Sequence, residues 1–369
     1  MSDDENHAPY DFLPGLDLSE SFYEEAVKPV LDEHFPDLLY SAARIGHGSD
    51  VLGYDTEQSM DHDWGPKLQI FLEDADYGSL RKNINETLCL NLPYEIRGFP
   101  TNFAYNDNGS TRMHRISSGP VNHGVEINTV SAFFIEYLGF NPMEDLRTID
   151  WLVLPQQMLQ SIANGRVFHD GLDKLNSIVT KLEYYPHDLW LYLMANQWKR
   201  ISQEQAFMGR SGQVGDELGS RIIAARLIRD IMMLCFLMEK QYAPYIKWFG
   251  TAFSKLKSAK TLTLLFEQIM DAGKWQKRQE LLTKVYEYIA NMHNELGITK
   301  PLATEVSQFY NRPFMIIHAD NFAEALHEEI EDDEVKELPK YLGGINQYVD
   351  STEVLGYTKK FRKLWSMYQ

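Results

Sequence analysis

Apolar residues recur at helical spacing early in the chain: Phe22, Ala26, Val27, Val30 and Leu31 follow a start rich in Ser and acidic residues within 18–34, and Pro36 comes after the end. That pattern predicts an opening amphipathic helix. Leu38 to Ile45 is a short apolar stretch of strand character, followed by a Gly-rich turn. Lys67 to Leu72, with β-branched and aromatic residues, predicts a second strand. A helix at 76–90 and a loop rich in Pro, Asn and Gly come next, and Val121 to Val130 again has strand character. From Ala132 onward periodic segments predict helices at 144–164, 171–182, 186–206, 213–240, 242–257, 260–271 and 273–296, and strand signals almost vanish. The expected fold class is α+β: a small mixed sheet with helices in a first domain, 1–145, then a large all-α domain, 146–369. Gly139 and Pro142 mark the boundary.

Length and charge narrow this picture. The chain's 369 residues correspond to about two to three domains at roughly 150 residues each. Its 35 Lys and Arg face 53 Asp and Glu, a net charge of −18, which argues against bulk binding to a nucleic-acid backbone and leaves room for a local basic pocket for one nucleotide. Cys89 and Cys235 are the only thiols, so neither a disulfide framework nor a cysteine zinc site is written into the sequence. The start, Met1-Ser2-Asp3-Asp4-Glu5-Asn6, lacks the basic and apolar regions of a signal peptide. The apolar run Ile231 to Met238 is far shorter than the roughly 20 residues a membrane span needs. A soluble cytoplasmic protein is expected. Residues 328–334, nearly all acidic, predict a solvated helix end or loop.

The chemistry concentrates between residues 46 and 63, where Gly48-Ser49 is followed by Gly53, Ser59 and Asp61-His62-Asp63. On an extended strand, Asp61 and Asp63 would project from one face about 6 to 7 Å apart. Two hard oxygen ligands so placed can hold one or two Mg²⁺ ions against a triphosphate. The Gly-Ser turn offers backbone N–H groups and a hydroxyl to phosphate oxygens, Gly48 having no Cβ in the way. His47 and His62 lie close by, but neither an HExxH motif nor paired Cys-His spacing supports zinc.

These residues, in this order, resemble the DNA polymerase β-like nucleotidyltransferase superfamily, whose small-molecule members carry a Gly-Ser, a later Gly and Ser-Asp-x-Asp. Two departures are Met60, inserted before Asp61, and Trp64-Gly65-Pro66 directly after Asp63, where the superfamily continues an apolar strand. Pro66 cannot donate to a sheet ladder, so the strand must be at an edge, bulged or starting later. The resemblance implies a third carboxylate on a later strand, and Glu126 in Gly124-Val125-Glu126-Ile127 is the best match, with Asp107 and Glu95 as weaker substitutes. By the same resemblance Glu126 would complete the metal site or act as general base.

In the helical half, Arg221 and Arg229 share a helix face by spacing, and Arg226 lies between them. They could neutralise phosphate or pair with Glu217, Asp230 or another helix. Lys247 follows a Pro-containing bend beside Tyr245 and Trp248. The kanamycin and other aminoglycoside nucleotidyltransferases, which this layout resembles, have a helical C-terminal domain whose Lys and Arg side chains close on nucleotide and acceptor. Lys247 and Arg221 would take that part here. Over most of its length the sequence also looks like a bacterial family catalogued as a domain of unknown function, with a nucleotidyltransferase-like N-terminal half.

The resulting expectation is a metal-dependent nucleotidyltransferase with two Mg²⁺ ions, moving a nucleoside monophosphate from an NTP, with ATP the expected donor, to a hydroxyl of a small molecule or protein. Asp61, Asp63 and Glu126 would be catalytic and metal-binding; Gly48, Ser49, Arg221 and Lys247 would bind the nucleotide. The alternatives are an inactive nucleotide-binding or regulatory protein, antitoxin-like, and a helical interaction scaffold.

Overall fold

The computed structural model describes residues 11–106, 109–144 and 146–368. The acidic start, residues 1–6, and Asp107 lie outside them. The opening amphipathic pattern folds as one continuous helical run, Gly15–Phe22, a π-helical turn Tyr23–Val27, and Lys28–His34. Pro29 cannot donate to the carbonyl of Glu25, and the wider π turn sits where that bond is lost.

Strand β1, Tyr40–Arg44, runs antiparallel to β2, Lys67–Leu72. The helix Asp74–Asn91 follows. Two short hairpins then form, β3 (Glu95–Ile96) with β4 (Phe99–Pro100), and β5 (Phe103–Tyr105) with β6 (Thr111–Met113). Strand β7, Gly124–Thr129, pairs in parallel with β2, and β8, Arg166–Asp170, pairs antiparallel with β1. The four-stranded mixed sheet therefore has the order β7-β2-β1-β8.

Period-two alternation gives this sheet two unlike faces. Leu68, Ile70 and Leu72, with Val125 and Ile127, join Leu18, Phe22 and Leu31 of the opening helix and Ile84 and Leu88 of the Asp74–Asn91 helix in one buried core. Gln69, in register with Glu126, and Phe71, in register with Asn128, face the other way.

Three expectations are corrected here. Strand character does not end at residue 132, because β8 forms the far edge of the sheet. The pattern hid it in five residues bracketed by Gly165 and Gly171, where an added Cβ would lie 2.5 Å from Ile45 Cγ2 and from the Tyr40 carbonyl oxygen respectively. The helix expected at 144–164 is two helices, Thr148–Val153 and Gln156–Ala163, separated at Pro155. The helix expected at 171–182 is the shorter Leu175–Lys181.

The chain divides into two compact units, Met1–Asp145 with Met158–Glu183, and Leu146–Gln157 with Tyr184–Gln369. The second is helical apart from a small hairpin, β9 (Ser307–Gln308) and β10 (Met315–Ile316). Its centre is the helix His187–Glu204, whose Trp198 stacks on Phe322 at 4.3 Å. Buried charges in this unit are paired: Asp230 accepts from Arg200, and Arg278, fully buried, donates to Glu217, Ser220 Oγ and the Ala272 carbonyl. In the acidic run 328–334, the backbone N–H groups of Glu331 and Asp332 donate to Asp188. Among the described residues, no helix is long and apolar enough to cross a membrane.

Candidate functional site

The Gly48-Ser49 turn begins four residues beyond β1, and a buried ion pair shapes it. Arg44 donates from Nε and Nη2 to the two carboxylate oxygens of Asp50, at 2.8 and 2.9 Å, and Nη2 also donates to the His47 carbonyl at 2.9 Å. Both side chains are about 95% buried. Gly48 has φ +147°, and a Cβ on it would lie 2.0 Å from Asp50 Oδ1 and 2.4 Å from Arg44 Nη2. The freedom of this glycine is thus already used by the Arg44–Asp50 pair. Ser49 is half-buried, and its carbonyl accepts from the Tyr54 N–H at 2.9 Å.

The Asp-His-Asp segment is not on a strand. Asp61 ends a 3-10 turn, Glu57–Asp61, is exposed, and lies 2.7 Å from the His62 ring Nδ1. Asp63 sits at φ +52° in the left-handed region, which a short polar side chain tolerates. The shared strand face expected for these carboxylates is therefore absent, because β2 starts only after Pro66. The backbone of Asp63 instead docks on β6. Its N–H donates to the Thr111 carbonyl at 2.7 Å, and its Oδ1 accepts from both the N–H and the hydroxyl of Thr111 at 2.8 Å. Partial burial pushes the Asp63 carboxyl up, but the two Thr111 hydrogen bonds, with Lys67 and His62 nearby, outweigh it and hold the group below its ordinary value.

Thr111 leads from Asp63 to a cleft. Lys67, the first residue of β2, donates from Nζ to Thr111 Oγ1 at 2.9 Å and lies over the Phe103 ring at 5.0 Å. Burial holds its ammonium below the ordinary lysine value while Asp63 pulls it back up. Lys67, Thr111, Arg81, His123 and Glu126 are among the residues lining a cleft of about 1120 Å³ in the first unit. Tyr77, Phe103 and Tyr105 add aromatic surface, and Lys82 a further cation. Glu126 enters from β7, exposed, in register with Gln69 on the face turned away from the core. Burial lowers the His123 pKa. Its Nδ1 accepts from the Val125 N–H at 3.2 Å, which leaves Nε2 to donate to the Asn85 carbonyl at 3.4 Å and assigns the neutral ring.

Of the residues picked out in the sequence, this geometry brings Glu126 to the cleft and Asp63 to Thr111 on its wall. Gly48, Ser49 and Asp61 are not among the lining residues. Arg221 and Lys247 belong to the second unit. Arg221 is exposed on the helix Glu217–Met238, where Glu217 pairs with Arg278 and Arg229 lies 3.9 Å from Asp230. Lys247 is exposed, its Nζ over the Trp248 ring at 4.9 Å.

Lys67, Arg81 and Thr111 are cleft residues that no motif in the sequence singles out. Tyr77, Arg81 and Asn85 form an i, i+4, i+8 stripe on one helix face, a signal that could have been read. Thr111 carried none, since its role depends on a hairpin of three-residue strands.

Asp61, Asp63 and Glu126 suit magnesium by donor type, being hard carboxylate oxygens. By position they are not a ready ligand set: among the described residues, no three His, Cys, Asp or Glu side chains are grouped so that they could hold a metal ion.

Residues 151–249 match a family described as a domain of unknown function (DUF4037). Arg221 and Lys247 fall inside that segment; the Gly-Ser turn, the Asp-His-Asp segment and the cleft fall outside it. No curated protein matches the chain. Among solved structures, a nucleotidyltransferase-like protein from Exiguobacterium sibiricum is similar at 10% identity and a TM-score of 0.30, over 79% of this chain and 97% of that one.

Proposed function

We propose that the β7 cleft binds a nucleoside triphosphate, with ATP the expected donor, and that the protein transfers its nucleoside monophosphate to a hydroxyl of a small molecule or protein. The observation that carries this reading is the cleft lining: three cations and two carboxylates, Glu126 and Glu136, share one cavity with aromatic rings, in a chain of net charge −18. Lys67, Arg81 and Lys82 would balance phosphate charge, and Tyr77, Phe103 and Tyr105 offer faces for a base. Glu126 would take the proton of the acceptor hydroxyl as its oxygen attacks the α-phosphorus and the bond to the departing pyrophosphate breaks. Asp61, Asp63 and Glu126 stay in the proposal as magnesium ligands on the strength of the sequence resemblance alone; the metal, when bound, would supply charge neutralisation at the phosphates. Gly48 and Ser49 stay in the proposal as nucleotide contacts on the strength of the sequence resemblance alone.

A second reading, binding without transfer, is favoured by the engagement of Asp63 with Thr111 and the ungrouped carboxylates. Pyrophosphate release from ATP with Mg²⁺, run with the protein itself and a panel of hydroxyl compounds as acceptors, separates the two. Transfer predicts release that Glu126→Gln lowers by about 10²-fold or more while ATP still binds; binding without release across all acceptors overturns transfer and leaves the second reading.

A further inference from the structure

The helical unit contains a second cavity with a different chemistry. It is an open surface pocket of about 480 Å³, lined by Arg210 and Arg312 together with Ser211, Gln213, Asn311 and Phe314, among others. Carboxylates outnumber cations in this chain, 53 to 35, and elsewhere Arg44, Arg200 and Arg278 each hold one and Arg166 holds two. Among the described residues no carboxylate pairs with Arg210 or Arg312, and none lines this cavity. The Arg210 guanidinium lies over the Phe207 ring at 5.9 Å, and an anion in the pocket could draw on the charge of both arginines.

Both arginine side chains are exposed, but the backbone that carries each is fixed. Arg210 lies on the helix Phe207–Gln213, which packs closely through two glycines. A Cβ on Gly209 would lie 2.7 Å from Phe314 Cδ1, and one on Gly212 would lie 2.2 Å from Trp275 Cβ. Phe314 is buried with Ala206 and Ile316, against Trp275 and Phe309. Arg312 sits in the β9–β10 connection, which is pinned on both sides. Its own N–H donates to the Phe309 carbonyl at 3.1 Å, and Gln279 donates to the Pro313 carbonyl at 3.1 Å and accepts from the Met315 N–H at 3.2 Å. The helix thus presents one arginine to the cavity and the pinned connection presents the other, with Ser211, Gln213 and Asn311 as neutral hydrogen-bonding groups beside them.

The geometry points to a binding site for a small phosphate-type oxyanion in this cavity, held by the guanidinium groups of Arg210 and Arg312. Planar, permanently charged forks suit phosphate oxygens, and neutral side chains complete its hydrogen bonds without adding competing charge. The site lies wholly in the helical unit and does not depend on the reading of the β7 cleft.

The test is calorimetric titration of the full chain with sodium pyrophosphate and, separately, inorganic phosphate. Wild type is compared with Arg210→Gln, Arg312→Gln and the cleft variant Lys67→Gln/Arg81→Gln. The expected result is a saturable event that survives in the cleft variant and weakens about tenfold or more in each arginine variant. Should the glutamine variants lose their circular dichroism, Arg210→Lys and Arg312→Lys carry the comparison, with weakened binding still expected because lysine lacks the fork. Equal affinity in wild type and the arginine variants overturns the site, as does the absence of any event in wild type. An acidic peptide of Glu residues that binds more tightly than pyrophosphate, and loses its affinity in the same variants, overturns the small-anion assignment in favour of a protein partner. Loss of binding in the cleft variant alone assigns the anion to the β7 cleft and also overturns the site.

Discussion

Replacing Asp50 by Ala tests what the Gly48-Ser49 turn is built around. Asp50 is 4% exposed and accepts two hydrogen bonds from Arg44, itself 5% exposed. After the substitution Arg44 keeps, of these contacts, only the His47 carbonyl, so a guanidinium charge is left buried without its counter-charge. Removing one partner of a buried pair costs about 3–5 kcal/mol. With a urea slope of about 3 kcal/mol per molar, the unfolding midpoint should fall by about 1 to 2 M. Arg44→Met/Asp50→Leu removes both charges and should recover most of the loss. Gly48→Ala should also be strongly destabilising, since its Cβ would lie 2.0 Å from Asp50 Oδ1 at an unfavourable φ. The assay is urea unfolding followed by far-UV circular dichroism, with the slope fitted for each variant. A loss under about 1 kcal/mol for Asp50→Ala, or a double variant no better than the single one, would refute the claim that the ion pair organises the turn.

Three further outcomes are expected. Glu126→Gln should lower transfer by about 10²-fold or more with stability changed by no more than about 0.5 kcal/mol, because the side chain is exposed; pyrophosphate release and thermal unfolding measure the two. Burial lowers the His293 pKa to about 4, with Nδ1 accepting from Trp198 Nε1 and Nε2 facing Thr299 Oγ1. The unfolded chain therefore takes up a proton near pH 6.5 that the folded one refuses, so stability is unaffected above that pH. It falls between about 6.5 and 4 by up to about 3 kcal/mol and levels off below; in His293→Gln this part of the slope should disappear from urea titrations at stepped pH. Gly212→Ala should cost about 1–3 kcal/mol in chemical unfolding by forcing a Cβ against Trp275, while Gly250→Ala, where no atom lies within 4 Å of the new carbon, should not destabilise.

Periodicity carried much of the architecture. The strand at Lys67–Leu72 and the long helices His187–Glu204, Glu217–Met238 and Trp275–Glu295 stand where apolar spacing placed them, to within a few residues. What it missed is non-local. Strand β8 is an edge strand whose partner lies more than a hundred residues earlier, and five residues leave too short a pattern to read. The candidate site was legible only in part. Glu126 was identifiable because a charge between Val125 and Ile127 must face away from the core. The spacing of Asp61 and Asp63 permits a strand, but Pro66 delays that strand, and Asp63 turns to Thr111 instead. In sequence Gly48 offers an opening to phosphate, whereas the Arg44–Asp50 pair, six residues apart and formed only once the turn closes, fills the space beside it.

Photolabelling of the full chain with an azido-ATP in the presence of Mg²⁺, followed by peptide mapping, addresses the nucleotide cleft most directly. Label in peptides spanning residues 77–85 and 103–136, competed by ATP and reduced in Lys67→Gln/Arg81→Gln, is the result expected. Label confined to peptides outside the cleft, or unaffected by ATP, would contradict it.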